Sequence, residues 1–331
     1  MAECPRVLVL TADLDPTADR VLACLRERGV AFTRFDPAVF PADGRLWAAL
    51  DGGGRWSGRL RGGPRAVDLA ELRAVWYRRP GEVTPRHGLG AEQERWCAAQ
   101  AREGLYGVLG SLPGVRWVND PLVARIAASK PRHLAAAAAC GLAVPPTLVT
   151  NVPAEVVEFA EGVGRRIVTK PLHSRSPRDA AGNLTGLLYT RRVPRERWAD
   201  PTIATTAHQF QAEICPRSHD VRVTAVGTTL FPVEIHAESE AAALDWRADY
   251  AGLHYKVGTL PDPVAAGVRR LLRHFGIAFA ALDFVVAEDG THYLVDLNPN
   301  GQWLWMETQA GQPISAAIAD LLTQPRMDED P

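Results

Sequence analysis

Residues 279–305 read FAALDFVVAEDGTHYLVDLNPNGQWLW, and they limit what the chain can fold into more tightly than any other stretch. Two apolar, β-prone runs, 281–287 and 293–297, flank Glu288-Asp289-Gly290. Asp-Gly between such runs signals a hairpin. A two-residue loop at Asp289-Gly290 pairs Glu288 with Thr291, and counting outward sets Asp283 opposite Asp296. Directly opposed residues share a sheet face, with Cβ atoms about 4.5–5.5 Å apart. Asn298, two residues beyond Asp296, falls on that face too. Two carboxylates so placed repel unless something positive lies between them. A hard divalent cation taking oxygen ligands is the simplest candidate; the plain alternative is a hairpin with two solvated aspartates. Asn298-Pro299-Asn300-Gly301 then stops the strand, since proline cannot continue a ladder and Asn-Gly turns. Asn298 is left beside a loop, where ligand sites tend to lie.

The basic residues narrow the chemistry. Of 37 lysines and arginines only Lys130, Lys170 and Lys256 are lysine, and a lysine in an arginine-using chain hints that a compact charge is needed. Between Arg55 and Arg86 eight arginines stand against Asp68, Glu71 and Glu82. That stretch is either a solvated surface or a basic groove for an acidic peptide, because arginine pairs with carboxylates bidentately. The net charge of −1 indicates no bulk attraction to nucleic acid or to an anionic membrane. No apolar run reaches the length of a spanning helix, and residues 1–6 lack a signal-peptide core. Five scattered cysteines with no C-x-x-C argue for a reducing cytoplasm, without a zinc site or a disulfide framework.

With 331 residues, 47% of them hydrophobic, the chain can bury a core divided among two or three lobes. Residues 7–11 read as a buried strand and 16–28 as an amphipathic helix with Val21, Leu22 and Leu25 inward. A second strand over 30–35 makes a parallel β-α-β opening. There is no G-x-G-x-x-G, hence no dinucleotide site, and Gly52-Gly53-Gly54 lacks the Gly-Lys-Ser/Thr of a phosphate loop and reads as a hairpin turn. A strand over 72–77 runs into Arg78-Arg79-Pro80. A helix over 91–110 and a short strand at 117–118 follow, broken by Asn119-Asp120-Pro121. One long helix is expected over 122–140, stopped by Gly141, with the alanine run 135–139 allowing close packing. Beyond it we expect a strand within 142–150, a helix over 154–161, a strand over 166–170 and a loop over 172–186. Strands over 208–214 and 219–226 come next, the latter with Asp220 and Arg222 on one face. Helices close the chain over 262–275 and 314–322. The expected units are 1–118, 119–200, 201–325 and an acidic tail, 326–331. No serine or cysteine is placed with a histidine and an acid in a readable triad.

Asp283, Asp296 and Asn298 match D…(D/E)-x-N at the end of a hairpin, a pattern that resembles the magnesium signature of ATP-grasp ligases. YLVDLNPNGQWLW and WYRRP resemble one branch, the ribosomal peptide maturases or graspetide (microviridin-type) synthetases. SKPRHLAAAAACGLAVPPTLVTN resembles the entry to the ATP-grasp fold. The likeness runs from WYRRP to NPNGQWLW, most of the chain. It implies an α/β protein: two α+β lobes clasping ATP, preceded by a small N-terminal α/β domain. Lys130 and Lys170 correspond to the family's two phosphate-binding lysines, and HQFQAEI to the strand and hinge holding the adenine. Gln211, Glu213, Ile214 and Asp220 would therefore border the nucleotide. Arg222 and Arg247 match arginines that relatives direct at the phosphates. The loop with Gly182 and Gly186, carrying His173, Arg175 and Arg178, would cover the phosphates. Asp296 departs from the family's usual glutamate and is one methylene shorter, which shortens its reach for bridging two ions.

The resemblance further implies Mg-ATP chemistry on a ribosomal precursor peptide. An Asp or Glu side chain would attack the γ-phosphorus to form an acyl phosphate, and a Ser or Thr hydroxyl, or a Lys amine, would then close a macrocycle. The precursor's leader would dock away from the chemistry, with Arg78 and Arg79 as candidates for the acidic-peptide groove. No nucleic acid or membrane partner is expected, and a homo-oligomer is compatible with this reading. Two alternatives share the residues: a ligase of free amino acids or small peptides, and a nucleotide-binding regulatory module without catalysis. The complete set of lysines, arginines and metal ligands argues against the second.

Overall fold

The computed structural model describes residues 6–63, 66–85, 88–172 and 189–324. Strand β1 (Arg6–Thr11) leads into helix α1 (Pro16–Glu27), whose first turn is capped by Asp15 accepting from the Thr17 and Ala18 amides. Val21, Leu22 and Leu25 are buried on one face of α1, as a 3.6-residue period requires. β2 (Phe32–Phe35) returns parallel to β1. β3 (Arg45–Leu50), β4 (Trp56–Arg61) and β5 (Ala66–Asp68) form a small antiparallel sheet, with the glycine run in the β3–β4 turn. β6 (Leu72–Arg79), helix α2 (Ala91–Gly110) and β7 (Arg116–Val118) complete a parallel sheet of order β2-β1-β6-β7.

The single helix expected over 122–140 is instead two, α3 (Pro121–Ala127) and α4 (Lys130–Ala139). Pro131 has no amide hydrogen to offer the Ala127 carbonyl and suits the first turn of a new helix, entered from an extended Ser129. His133 Nδ1 takes that carbonyl at 3.2 Å. The break puts Lys130 at the head of a helix rather than in the middle of one.

β8 (Thr147–Thr150), helix α5 (Pro153–Gly162), β9 (Ile167–Lys170), β10 (Arg191–Arg192) and β11 (His208–Ala212) build an antiparallel sheet, β10-β9-β11-β8, around Val156, Ile167 and Phe210. Because β11 pairs with β8 and β9, this lobe runs past the boundary expected at 200, through Ala212. The loop expected over 172–186, beyond Leu172, and the tail 326–331 lie outside the described residues.

β12 (Arg217–Val226), β13 (Thr229–Ala237), helix α6 (Glu240–Leu244), β14 (Leu253–Val257), helix α7 (Asp262–Phe275), β15 (Phe279–Ala287) and β16 (His292–Asn298) follow. Their strands form a five-stranded antiparallel sheet, β14-β13-β12-β15-β16. α3, α4 and α7 cover one face, so residues 121–139 pack with this sheet and not with the central lobe to which 119–200 assigned them. The other face is closed by α8 (Leu304–Ala310), α9 (Ile314–Thr323) and the N-terminal sheet, with Trp303, Met306 and Ile318 against Val9, Leu22 and Trp76. Among the described residues no helix is long and apolar enough to cross a membrane.

Candidate active site

Asp283 pairs with Asp296, but not by the expected route. The hairpin loop has three residues: the Ala287 amide donates to Thr291 O at 3.0 Å, and Gly290 takes a φ of 83°, the left-handed position such loops need. From there Val286 meets His292 and Phe284 meets Leu294, a register that would bring Val295 opposite Asp283. A β-bulge after Phe284 leaves Val295 unpaired and restores Asp283 to Asp296 and Ala281 to Asn298. Two one-residue offsets cancel.

One strand further on, Arg222 lies directly opposite Asp283. Its Nη1 donates to both carboxylate oxygens, at 2.7 and 2.8 Å. Lys130 Nζ stands 3.3 Å from Asp296 Oδ1 and His133 Nε2 3.8 Å from the same atom. Lys170 Nζ donates to the carbonyl of Val295, the residue that the bulge removes from the ladder. The positive charge that two facing carboxylates require is thus supplied from β12, α4 and β9. Burial pushes the Asp296 carboxyl up, but Lys130, Lys170 and His133 outweigh it and hold it at about 2. Burial pushes the Lys170 ammonium down to about 8 against the pull of Asp296, and the His133 imidazole down to about 4, so His133 is neutral. Lys256, by contrast, sits on the edge strand β14 beside Glu234.

Beside this cluster a cleft opens between the central and five-stranded sheets, walled by Val168, Leu244, Val285 and Val295. Four of the six residues expected around a nucleotide line it: Lys170, Gln211, Glu213 and Ile214. Gln211 Nε2 donates to Thr147 Oγ1 at 2.9 Å, and the Glu213 carboxylate accepts from Arg192 at 3.0 Å and Arg166 at 3.3 Å. Asp220 is buried behind the cleft and pairs with Arg217, which does line it. Burial pushes the Asp220 carboxyl up to about 7 while Arg217 pulls it down. Arg247 is fixed by two bonds to Asp245, 2.8 and 2.6 Å, which with lesser pulls from Asp283 and Asp296 raise its pKa.

Residues 6–125 match the family model described as the MvdD pre-ATP grasp domain. The macrocyclase MdnC of Microcystis aeruginosa MRC, solved with its precursor peptide MdnA, superposes with a TM-score of 0.82 at 26% identity, over 96% of this chain and 98% of that one. A RiPP-associated ATP-grasp ligase of Chryseobacterium gregarium, in complex with ADP and a leader and core peptide, gives 0.85 at 26% over 99% and 98%. This chain has the ATP-grasp fold of the graspetide-type maturases. The macrocyclase MdnB of Microcystis aeruginosa MRC is similar as well, with a TM-score of 0.77 at 29% identity over 96% and 99%. No curated protein matches the sequence.

In an ATP-grasp fold the Asp283–Asp296–Asn298 face is where magnesium would be held, and the donors fit. Magnesium takes hard oxygens and completes its shell from substrate phosphates and water. Each oxygen of Asp283 accepts one bond from Arg222 and keeps further acceptor capacity. Among the described residues no three His, Cys, Asp or Glu side chains cluster closely enough to hold an ion alone. Asp296→Glu, which restores the family's usual residue, is expected to keep or raise activity and to lower the magnesium requirement. A large loss in a magnesium titration of turnover would show that Lys130, Lys170 and His133 shape this pocket around aspartate.

The graspetide-type loop after β16 is clamped by the N-terminal domain, and here one expectation is corrected. Arg78 lies on no groove surface. It is fully buried. Its Nη1 donates to Asn300 O at 3.0 Å, Asn300 Oδ1 at 3.1 Å and Gly301 O at 3.3 Å, and its Nη2 donates to Gln302 Oε1. The guanidinium also sits 4.4 Å from the centre of the Trp303 ring. Burial pushes its pKa down to about 10, which leaves it charged at neutral pH. Asn300 N in turn donates to Asn298 Oδ1 at 2.9 Å, and Arg222 Nη2 to Gln302 O at 3.3 Å. Gly301 is required there: a Cβ would come 2.3 Å from Ala281 Cβ and 2.9 Å from Arg222 Nη2. Asn119 adds a second tie, its amide bonding the Phe279 amide and the Phe279 and Pro299 carbonyls. Arg79 alone of the arginine pair is exposed. Sequence reasoning passed over Arg217, Asp245 and His133 as site residues, although each had a local signal: Arg217 lies three residues before Asp220, Asp245 two before Arg247, and His133 three after Lys130 on one helix.

Proposed function

We propose that this chain is an ADP-forming ligase that activates Asp or Glu side chains of a ribosomal precursor peptide and closes ester or amide macrocycles. The observation that carries the proposal is the convergence of Lys130, Lys170, Arg222 and the Asp283–Asp296 pair beside a cleft that Lys170 and Val295 line. Such a site has little covalent chemistry of its own to perform; it positions groups and neutralises charge, as phosphoryl transfer requires. Lys130 and Lys170 would hold the phosphates. Arg222 and Arg247, each oriented by an aspartate, would face the charge that develops on the moving phosphoryl group. Magnesium on Asp283, Asp296 and Asn298 would neutralise the phosphate oxygens. The peptide carboxylate bonds to the γ-phosphorus and ADP leaves; a hydroxyl or amine of the same peptide then attacks the acyl carbon and phosphate leaves. Relatives solved with precursor peptides favour a peptide over a free amino acid as substrate. The free thiols of Cys24, Cys97, Cys140 and Cys215 suit a reducing cytoplasm.

The test is incubation with Mg-ATP and the protein's own precursor. The peptide should lose the mass of one water per linkage, while ATP goes to ADP and phosphate. Release of AMP would rule out an acyl phosphate. Arg79→Glu should weaken precursor binding more than nucleotide binding if the exposed arginines receive an acidic peptide. Equal peptide affinity in paired titrations would return that surface to plain solvation.

A further inference from the structure

Gln209 on β11 carries a buried amide that no described residue satisfies. The side chain is 1% exposed, and among the described residues neither Oε1 nor Nε2 has a hydrogen-bond partner. Buried polar groups are nearly always paired, and an unpaired one costs stability unless a ligand or water completes it.

Its position says which ligand. Gln209 lies directly across from Lys170 on β9 and from Val149 on β8, and opposed residues share a sheet face. Lys170 reaches from that face to the Val295 carbonyl on β16. Gln211, two residues along and so on the same side, lines the cleft and has its amide occupied by Thr147. Gln209 therefore shares the sheet face from which Lys170 and Gln211 line the cleft, at the end of the strand away from Ala212 and Ile214. The ligand atom best suited to a carboxamide N–H and a lysine ammonium together is an anionic oxygen. We propose that Gln209 is a further nucleotide-contacting residue, its Nε2 donating to a phosphate oxygen of the triphosphate held by Lys170. This rests on the ATP-binding reading above.

The experiment uses the full chain, with Mg-ATP and adenosine as separate titrants. Gln209→Leu keeps the bulk and deletes the amide. It is expected to weaken Mg-ATP binding about tenfold, the size of one hydrogen bond to a charged group, and to leave adenosine affinity unchanged. The melting temperature of the ligand-free protein should hold or rise, because an unpaired amide has been removed. A lower melting temperature would mean that the amide is structural, and an equal loss for adenosine that it serves the base; either overturns the assignment, as does unchanged Mg-ATP affinity. Should the leucine variant not fold, Gln209→Met carries the same comparison. Wild-type protein that binds no Mg-ATP would defeat the ATP reading itself, an outcome separate from failure of the variant.

Discussion

Asp283→Asn and Asp296→Asn are expected to lose ATP turnover by about three orders of magnitude, the several kcal/mol that bridging metal ligands supply to an in-line displacement. The structure shows that the two variants fail differently. Asn at 283 can no longer hold both arms of the bond to Arg222, so that guanidinium loses its orientation along with the ion. Asn at 296 leaves Lys130 and Lys170 facing each other without their counter-charge. Asp296 is held at about 2, below its ordinary 3.8. Its contribution to stability is therefore present above about pH 4 and lost as pH falls toward 2. Acid unfolding of Asp296→Asn should lack that component. Asn298→Ala, at an exposed position, should lose turnover with little change in stability. Phosphate release measured beside circular dichroism separates these effects. Wild-type turnover in either aspartate variant would make the hairpin cluster structural only.

Arg78→Ala should be the most destabilising single change outside the hydrophobic core, by about 3–5 kcal/mol, because it strands a set of buried acceptors that one cation satisfied. The acceptors lie on Asn300, Gly301 and Gln302, and Asp15, 3.8 Å away, loses its nearest charge. Arg78→Lys should not restore the loss, since an ammonium lacks the planar fork that reaches several oxygens and stacks on Trp303. The same loop carries the bond to Asn298 and roofs Arg222. The magnesium concentration needed for half-maximal turnover should therefore rise in whatever folded fraction remains. Chemical denaturation gives the first quantity and a magnesium titration the second. A loss below about 1 kcal/mol would show that the clamp is a solvated contact and not the joint between the domains.

Much of the site was legible because it is written in strand periodicity. Alternation placed Asp283, Asp296 and Asn298 on one face, and the Asp-Gly turn joined the strands. The pairing nevertheless came from a three-residue loop and a bulge, neither of which the apolar pattern marks. A bulge costs one residue of register and is chosen by what the freed backbone then meets, here the Lys170 ammonium 125 residues away. Which charges neutralise the carboxylates was equally invisible. Strand pairing pointed to a divalent cation there, and the folded chain adds Arg222 and Lys130 at ion-pair distance from the same two carboxylates. Pro131 announced the helix break that directs Lys130, but a helical alanine run on its far side hid it.

What the sequence determined by itself is the opening β-α-β unit, the closing hairpin with its opposed aspartates and the scarcity of lysine. Each is a local property, set by side-chain period or by residue type. Tertiary structure decided the rest: β11 in the central sheet, α3 and α4 on the five-stranded one, and Arg78 inside and not on a groove. An arginine's fate depends on whether enough acceptors converge on it to offset its desolvation. For Arg78 those acceptors come from a loop more than two hundred residues further along the chain, which only the packing of the N-terminal sheet against Trp303 brings within reach.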